Sequence, residues 1–292
     1  MKELITDGID QFRAQIPNFD LGGSGFPMHF LHANGYPPSC YKPLLELLHT
    51  RYHVFGMMLR PLWPHSNMQD LDNWHPLSLD LLKFLANRTS EPVIGIGHSI
   101  GGIVTLRAAL RAADKFRALI LVDPVLFVPP ILIGWRFARA LGLGGRIHPK
   151  IMGALNRRRT FDDLDTVFRG YRGRKVFRYL SDEGLWAYIH GITKEMPTGQ
   201  FELVYSPDWE AHIYYTGLDD ADLWHGLPEL RIPTLILRGA ETDTFLDKAA
   251  QLVRKKQPQV RIVTLERSTH LLPLERPAQV IEIFHTFLKE IR

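Results

Sequence analysis

Six short apolar runs, separated by turns and longer amphipathic stretches, set the strongest limit on what this chain can fold into. Met28 to His32, His53 to Leu59, Val93 to Gly97, Ala118 to Asp123, Thr234 to Arg238 and Arg261 to Leu265 read as buried strands. Tyr41 to His49, Leu77 to Asn87 (with leucines at helical spacing) and Ile100 to Ala113 read as helices, and helix candidates follow the last two strands as well. Strands alternating with helices imply an α/β fold, a parallel sheet covered on both faces.

The interval from Leu126 to Arg231 breaks this rhythm. It holds helix-like segments rich in arginine and aromatics, bordered by Val128-Pro129-Pro130 and Arg231-Ile232-Pro233, with no alternating strand. A chain of 292 residues suits one α/β domain with an insertion. The expected organisation is a core of residues 1–125 and 232–292 and a helical cap of residues 126–231. Between Ile131 and Leu180 stand twelve Lys or Arg against Asp162, Asp163 and Asp165, although the net charge of the whole chain is only +4.

Several function classes drop out. No repeat points to a solenoid or propeller. Cys40 is the single cysteine, so neither an internal disulfide nor a thiolate metal cluster is available, which fits a reducing compartment. Met1-Lys2-Glu3-Leu4-Ile5 lacks the character of a secretory leader. The longest apolar run, Pro124 to Trp135, contains Pro129 and Pro130 and falls short of the roughly 20 residues that span a bilayer. A soluble cytoplasmic protein without a membrane span is the expectation. Leu21-Gly22-Gly23-Ser24-Gly25 lacks the lysine of a phosphate loop, and no zinc spacing occurs, so neither metal nor cofactor is expected. Cations beside aromatics in the cap carry no nucleic-acid-binding motif, and no nucleic-acid partner is expected.

The chemistry centres on Gly97-His98-Ser99-Ile100-Gly101, which matches G-x-S-x-G and sits where a strand runs into a helix. A serine hydroxyl needs a base, and the base an orienting acid. His270, in Ser268-Thr269-His270-Leu271-Leu272-Pro273 between the last strand and the last helix, is the expected base. Asp243, in the loop after the next-to-last strand, is the expected acid. Glu241 is its closest rival, Asp247 is disfavoured by its place in the following helix, and Asp123 at the end of the fourth strand is a further candidate. The backbone amides of Ile100 and Asn34 are the expected oxyanion donors, with Ala33 the alternative to Asn34. His32 is expected to pin that loop rather than to act as a base.

With the elbow, His32-Ala33-Asn34-Gly35-Tyr36-Pro37, Leu121-Val122-Asp123-Pro124-Val125, the loop Leu237 to Phe245 and the stretch Thr269 to Pro277, the chain resembles the α/β-hydrolase superfamily. The resemblance implies a mostly parallel eight-stranded sheet flanked by helices, a cap inserted after the sixth strand, and Ser, Asp and His at Ser99, Asp243 and His270. Two departures stand out. Met58-Leu59-Arg60-Pro61-Leu62-Trp63 replaces the Asp-x-Arg-Gly-x-Gly of many relatives, and His-Ala-Asn-Gly replaces the commoner His-Gly. Serine at position 99 argues against the epoxide hydrolases and haloalkane dehalogenases of the superfamily, which use aspartate there.

The expected activity is hydrolysis of a carboxylic ester through an acyl-enzyme. The same groups could cleave a C–C bond or a thioester, or perhydrolyse, and a non-enzymatic receptor for a small ligand is the alternative of another class. The expected partner is a small-molecule acyl substrate. The basic cap would favour an anionic acyl group or approach an anionic lipid surface, while the apolar run Leu126 to Ile133 reads equally as an acyl pocket or as plain cap core. Oligomeric state is not legible.

Overall fold

Strands of Val, Ile and Leu buried on both faces require helices above and below, and the computed structural model, which describes residues 16–291, has that layering. The N-terminal segment read as lacking a secretory leader lies outside the described residues. In chain order the first half runs β1 (Asn18–Gly22), β2 (Pro27–Leu31), α1 (Lys42–His49), β3 (His53–Met57), α2 (His75–Arg88), β4 (Val93–His98), α3 (Ile100–Arg111) and β5 (Phe116–Val122).

The insertion then holds α4 (Pro129–Ala140), α5 (Gly144–Ile147), α6 (Pro149–Leu155), β6 (Thr160–Phe161), α7 (Leu164–Arg172), α8 (Asp182–Ile192), β7 (Thr193–Glu195), β8 (Phe201–Leu203), α9 (Pro207–Thr216) and α10 (Ala221–Gly226). The chain returns through β9 (Thr234–Gly239), α11 (Asp247–Lys256), β10 (Arg261–Leu265), α12 (Leu272–Glu275) and α13 (Pro277–Glu290).

The main sheet has the order β1-β3-β2-β4-β5-β9-β10, and every pairing is parallel except β1 with β3. Successive residues of one strand serve opposite faces. Met28 and Phe30 pack with Leu44 of α1 and Phe284 of α13, while Leu31 packs with Leu81 of α2 and Ile103 of α3.

Three expectations need correction. The sheet has seven strands among the described residues rather than eight, so the insertion follows the fifth strand rather than the sixth. The edge strand β1 was missed because Asn18-Phe19-Asp20-Leu21-Gly22 is largely exposed and carries no buried run. The insertion, read as helical with no alternating strand, contains a small antiparallel sheet ordered β6-β8-β7. Its strands of two or three residues are too short to show alternation. The cap also has no separate core among the described residues. Trp135 and Trp209 join the hydrophobic cluster on one side of the sheet, Phe177 and Tyr188 the cluster on the other.

Candidate active site

In the parallel pair β4–β5, His98 stands opposite Val122, so Ser99 and Asp123 emerge side by side at the carboxyl edge of the sheet. Each takes a backbone conformation that L-residues avoid, with φ of 58° at Ser99 and 43° at Asp123. Neighbouring strands hold both: the Ser99 amide donates to Val122 O at 3.0 Å, and the Asp123 amide to Leu237 O at 2.7 Å. The glycines of the motif are required by close approach. A Cβ on Gly97 would lie 2.2 Å from Gly101 O, and one on Gly101 would lie 2.3 Å from Leu31 O. The sharp turn therefore places the Ser99 hydroxyl above the sheet and opens α3 beneath it.

His270 enters from the loop after β10. Its Nε2 lies 3.0 Å from Ser99 Oγ and its Nδ1 2.6 Å from Asp123 Oδ2. An ionised carboxylate only accepts, so Nδ1–H faces Asp123 and Nε2 is left to accept the Ser99 proton. Asp123 is fully buried, and its other contacts are the Gly239 amide at 3.3 Å and a short bond from the Thr242 hydroxyl. The carboxylate is thus met on both oxygens by donors, which offsets the cost of burying its charge.

The structure brings Asp123, and not the expected Asp243, within hydrogen-bond distance of His270. Asp243 lines the same cavity, but its side chain is 65% exposed and pairs with Lys150 of the cap at 3.2 Å. It stands four residues beyond the end of β9, out over the cap, whereas Asp123 stands one residue beyond the strand adjacent to that of Ser99. Glu241 also turns to the cap, accepting from Tyr179 Oη at 2.6 Å and pairing closely with Arg178. Asp247 opens α11 and pairs with Arg238.

The loop expected to supply an oxyanion donor follows β2. Ile100 stands at the first position of α3, where the backbone N–H has no partner within the helix. The Ala33 amide donates to Tyr41 Oη at 3.2 Å, while the Asn34 amide makes no hydrogen bond among the described residues. Asn34 and Ile100 both line the cavity with Ser99. His32 is fully buried and pins the loop: its Nδ1 bonds Ala33 O at 2.8 Å and its Nε2 accepts from the Leu59 amide at 3.0 Å. Burial drives its pKa down to about 4, so it is neutral near pH 7.

Two further arrangements escaped the sequence. His98, inside the elbow motif, lies 2.7 Å from Tyr41 Oη through Nδ1 and 2.9 Å from His270 O through Nε2. One chain of bonds thus runs from the Ala33 amide through Tyr41 and His98 to the backbone of His270. Burial, and then neighbouring His270, hold His98 well below the ordinary imidazole pKa, so it acts as a fixed donor and acceptor. Second, the Asn34 side chain is held by the cap: Tyr205 Oη donates to its Oδ1 at 2.9 Å, and its Nδ2 donates to Glu210 O at 3.0 Å. These contacts span 57 and more than 170 residues, and no local spacing signals them.

Above Ser99 lies a cavity of about 450 Å³. Trp74, Val125, Phe127, Ile213 and Leu218 give it apolar walls, and His148, Pro149 and Lys150 of the insertion line it as well. The arrangement can deliver an activated hydroxyl to an electrophilic carbon.

Among known proteins, the type I acyl-CoA thioesterase mpaH of Penicillium roqueforti is 25% identical over 36% of this chain, a match spanning only 27% of that protein. The esterase YbfF of Escherichia coli is 20% identical over 75% of this chain and 76% of its own length. In structure, E-2-(acetamidomethylene)succinate hydrolase superposes with a TM-score of 0.73 at 18% identity, covering 94% of this chain and 95% of that one. No helix among the described residues is long and apolar enough to cross a membrane. The model of the alpha/beta hydrolase family matches residues 30–283, and the chain belongs to that family.

Proposed function

We propose that this protein is a serine hydrolase that cleaves carboxylic esters through an acyl-enzyme. The observation that carries the reading is the contiguous set Ser99 Oγ, His270 Nε2 at 3.0 Å and, across the ring, Asp123 Oδ2 at 2.6 Å. Ser99 Oγ attacks the acyl carbon while its proton passes to His270 Nε2, and Asp123 orients the ring and stabilises the imidazolium. The carbonyl oxygen gathers negative charge between the amides of Asn34 and Ile100. Collapse breaks the C–O bond, and the departing alcohol takes the proton from His270. A water then repeats the sequence, releasing the acid and restoring Ser99.

The apolar walls of the cavity suit the hydrocarbon part of the acyl group, and about 450 Å³ lies within the usual range for a small-molecule site. A thioester would react by the same steps with a thiol leaving, a reading favoured by the match to the Penicillium thioesterase. Activity on paired oxygen esters and thioesters of equal acyl length separates the two. The test of the shared mechanism is labelling by a fluorophosphonate, expected for the wild type and absent in Ser99→Ala and His270→Ala. A wild type that resists labelling and hydrolyses neither class would leave a ligand receptor as the better reading.

A further inference from the structure

The cap presents an outward face that the site above does not use. On α4 the residues Leu132 and Trp135 turn inward and are buried, whereas Ile133 and Phe137 turn out and are 55% and 67% exposed. Past the helix, Leu141, Ile147 and Met152 are exposed too, at 72%, 57% and 49%. Large apolar side chains exposed in this number on one short stretch mark an interaction surface.

The charge around them is one-sided. Between Pro124 and Phe161 the sequence has seven Lys or Arg and no Asp or Glu. Lys150, Arg157, Arg158 and Arg159 pair with carboxylates elsewhere in the chain. Arg136, Arg139 and Arg146 have no carboxylate within ion-pair distance among the described residues, and Arg136 and Arg146 are exposed beside Phe137 and Ile147. An amphipathic helix with exposed Phe and Ile flanked by arginines and lacking acids has the chemistry of a surface that lies in the interface of an anionic bilayer. A second copy docking by the same face would oppose arginine to arginine without an acid between them, which is unfavourable. The start of α6 also lines the cavity, through His148, Pro149 and Lys150.

We propose that the α4–α6 face of the cap docks on anionic lipid membranes, Ile133, Phe137, Leu141 and Ile147 entering the interface while Arg136 and Arg146 meet headgroup phosphates. The proposal does not depend on the hydrolase reading, because its test uses no catalysis. The full chain is sedimented with vesicles of phosphatidylcholine alone or with about a third phosphatidylglycerol, at about 0.05 M and about 0.5 M NaCl. The expected result is strong pelleting with the anionic vesicles at low salt, weakened at high salt, and little with the neutral ones. Phe137→Asp and the double variant Arg136→Glu/Arg146→Glu, with melting temperatures matching the wild type, should each lower the partition coefficient by about tenfold or more. Equal pelleting with neutral and anionic vesicles, no pelleting of the wild type, or unchanged pelleting of both variants would overturn it. So would a wild-type dimer that Phe137→Asp dissociates while vesicle binding is absent, which would assign the face to a second copy.

Discussion

At the scale of single residues, Asp123 and Asp243 show what a one-dimensional reading can miss. Both follow strands, but only Asp243 lines the cavity, and the register of β4 against β5 tells which one meets the imidazole. The pairing of Ser99 with His270 was legible because a local motif and chain order suffice for it. Asp123 was weighed, but Asp-Pro also reads as a turn, and its bond to His270 spans 147 residues. If Asp123 orients the base, Asp123→Asn should lower kcat by about 10³- to 10⁴-fold with KM little changed. Asp243→Asn removes an exposed ion pair worth under about 1 kcal/mol, so kcat should stay within about fivefold. Steady-state kinetics on a short ester decides it, and the reverse ranking would return the role to Asp243.

At the scale of elements, the strands that shape the site lie where apolar runs placed them, with ends shifted by no more than two residues. Elements without a buried run of their own, β1 and the short cap strands, were invisible to periodicity. The hold of the insertion on the Asn34 loop was equally hidden, because it is made by tertiary hydrogen bonds to Asn34 from residues near β8 and on α9. Tyr205 is nearly fully buried and is read as a positioning residue for the Asn34 amide. Tyr205→Phe leaves the shape and removes one hydrogen bond, at a stability cost of about 1 kcal/mol. Its expected signature is a fall in kcat of about tenfold with KM unchanged, and a matching loss of affinity for a boronic acid that mimics the tetrahedral state. A rise in KM alone would mean that Tyr205 shapes the pocket and does not position the donor.

At the scale of the whole molecule, polar order at the sheet's carboxyl edge depends on buried neutral imidazoles. Burial lowers His29 to about 3 and His32 to about 4, and His98 is lowered as well. The unfolded chain binds protons on these groups below about pH 6.5, whereas the folded state resists them, so acid favours unfolding. Their contribution is fully present above about pH 6.5 and is lost as pH falls toward 4, by up to about 1.4 kcal/mol per pH unit for each histidine. Urea midpoints should therefore drop steadily from about pH 7 to about pH 4.5. A midpoint that holds or rises over that window would mean these imidazoles are protonated in the fold. The layered α/β class was readable from the alternation of runs, but the seven-strand count among the described residues and the division of the inserted segment between two core clusters were not. Those depend on long-range packing that spacing does not encode.

The central claim is that Ser99 carries the acyl group during turnover. Acid quenching during hydrolysis of a slowly deacylated ester, followed by peptide mass spectrometry, reads this directly. The expected result is an added acyl mass on the peptide containing Ser99, lost in Ser99→Ala and His270→Ala. An acyl group on another residue, or turnover that persists in Ser99→Ala, would contradict it.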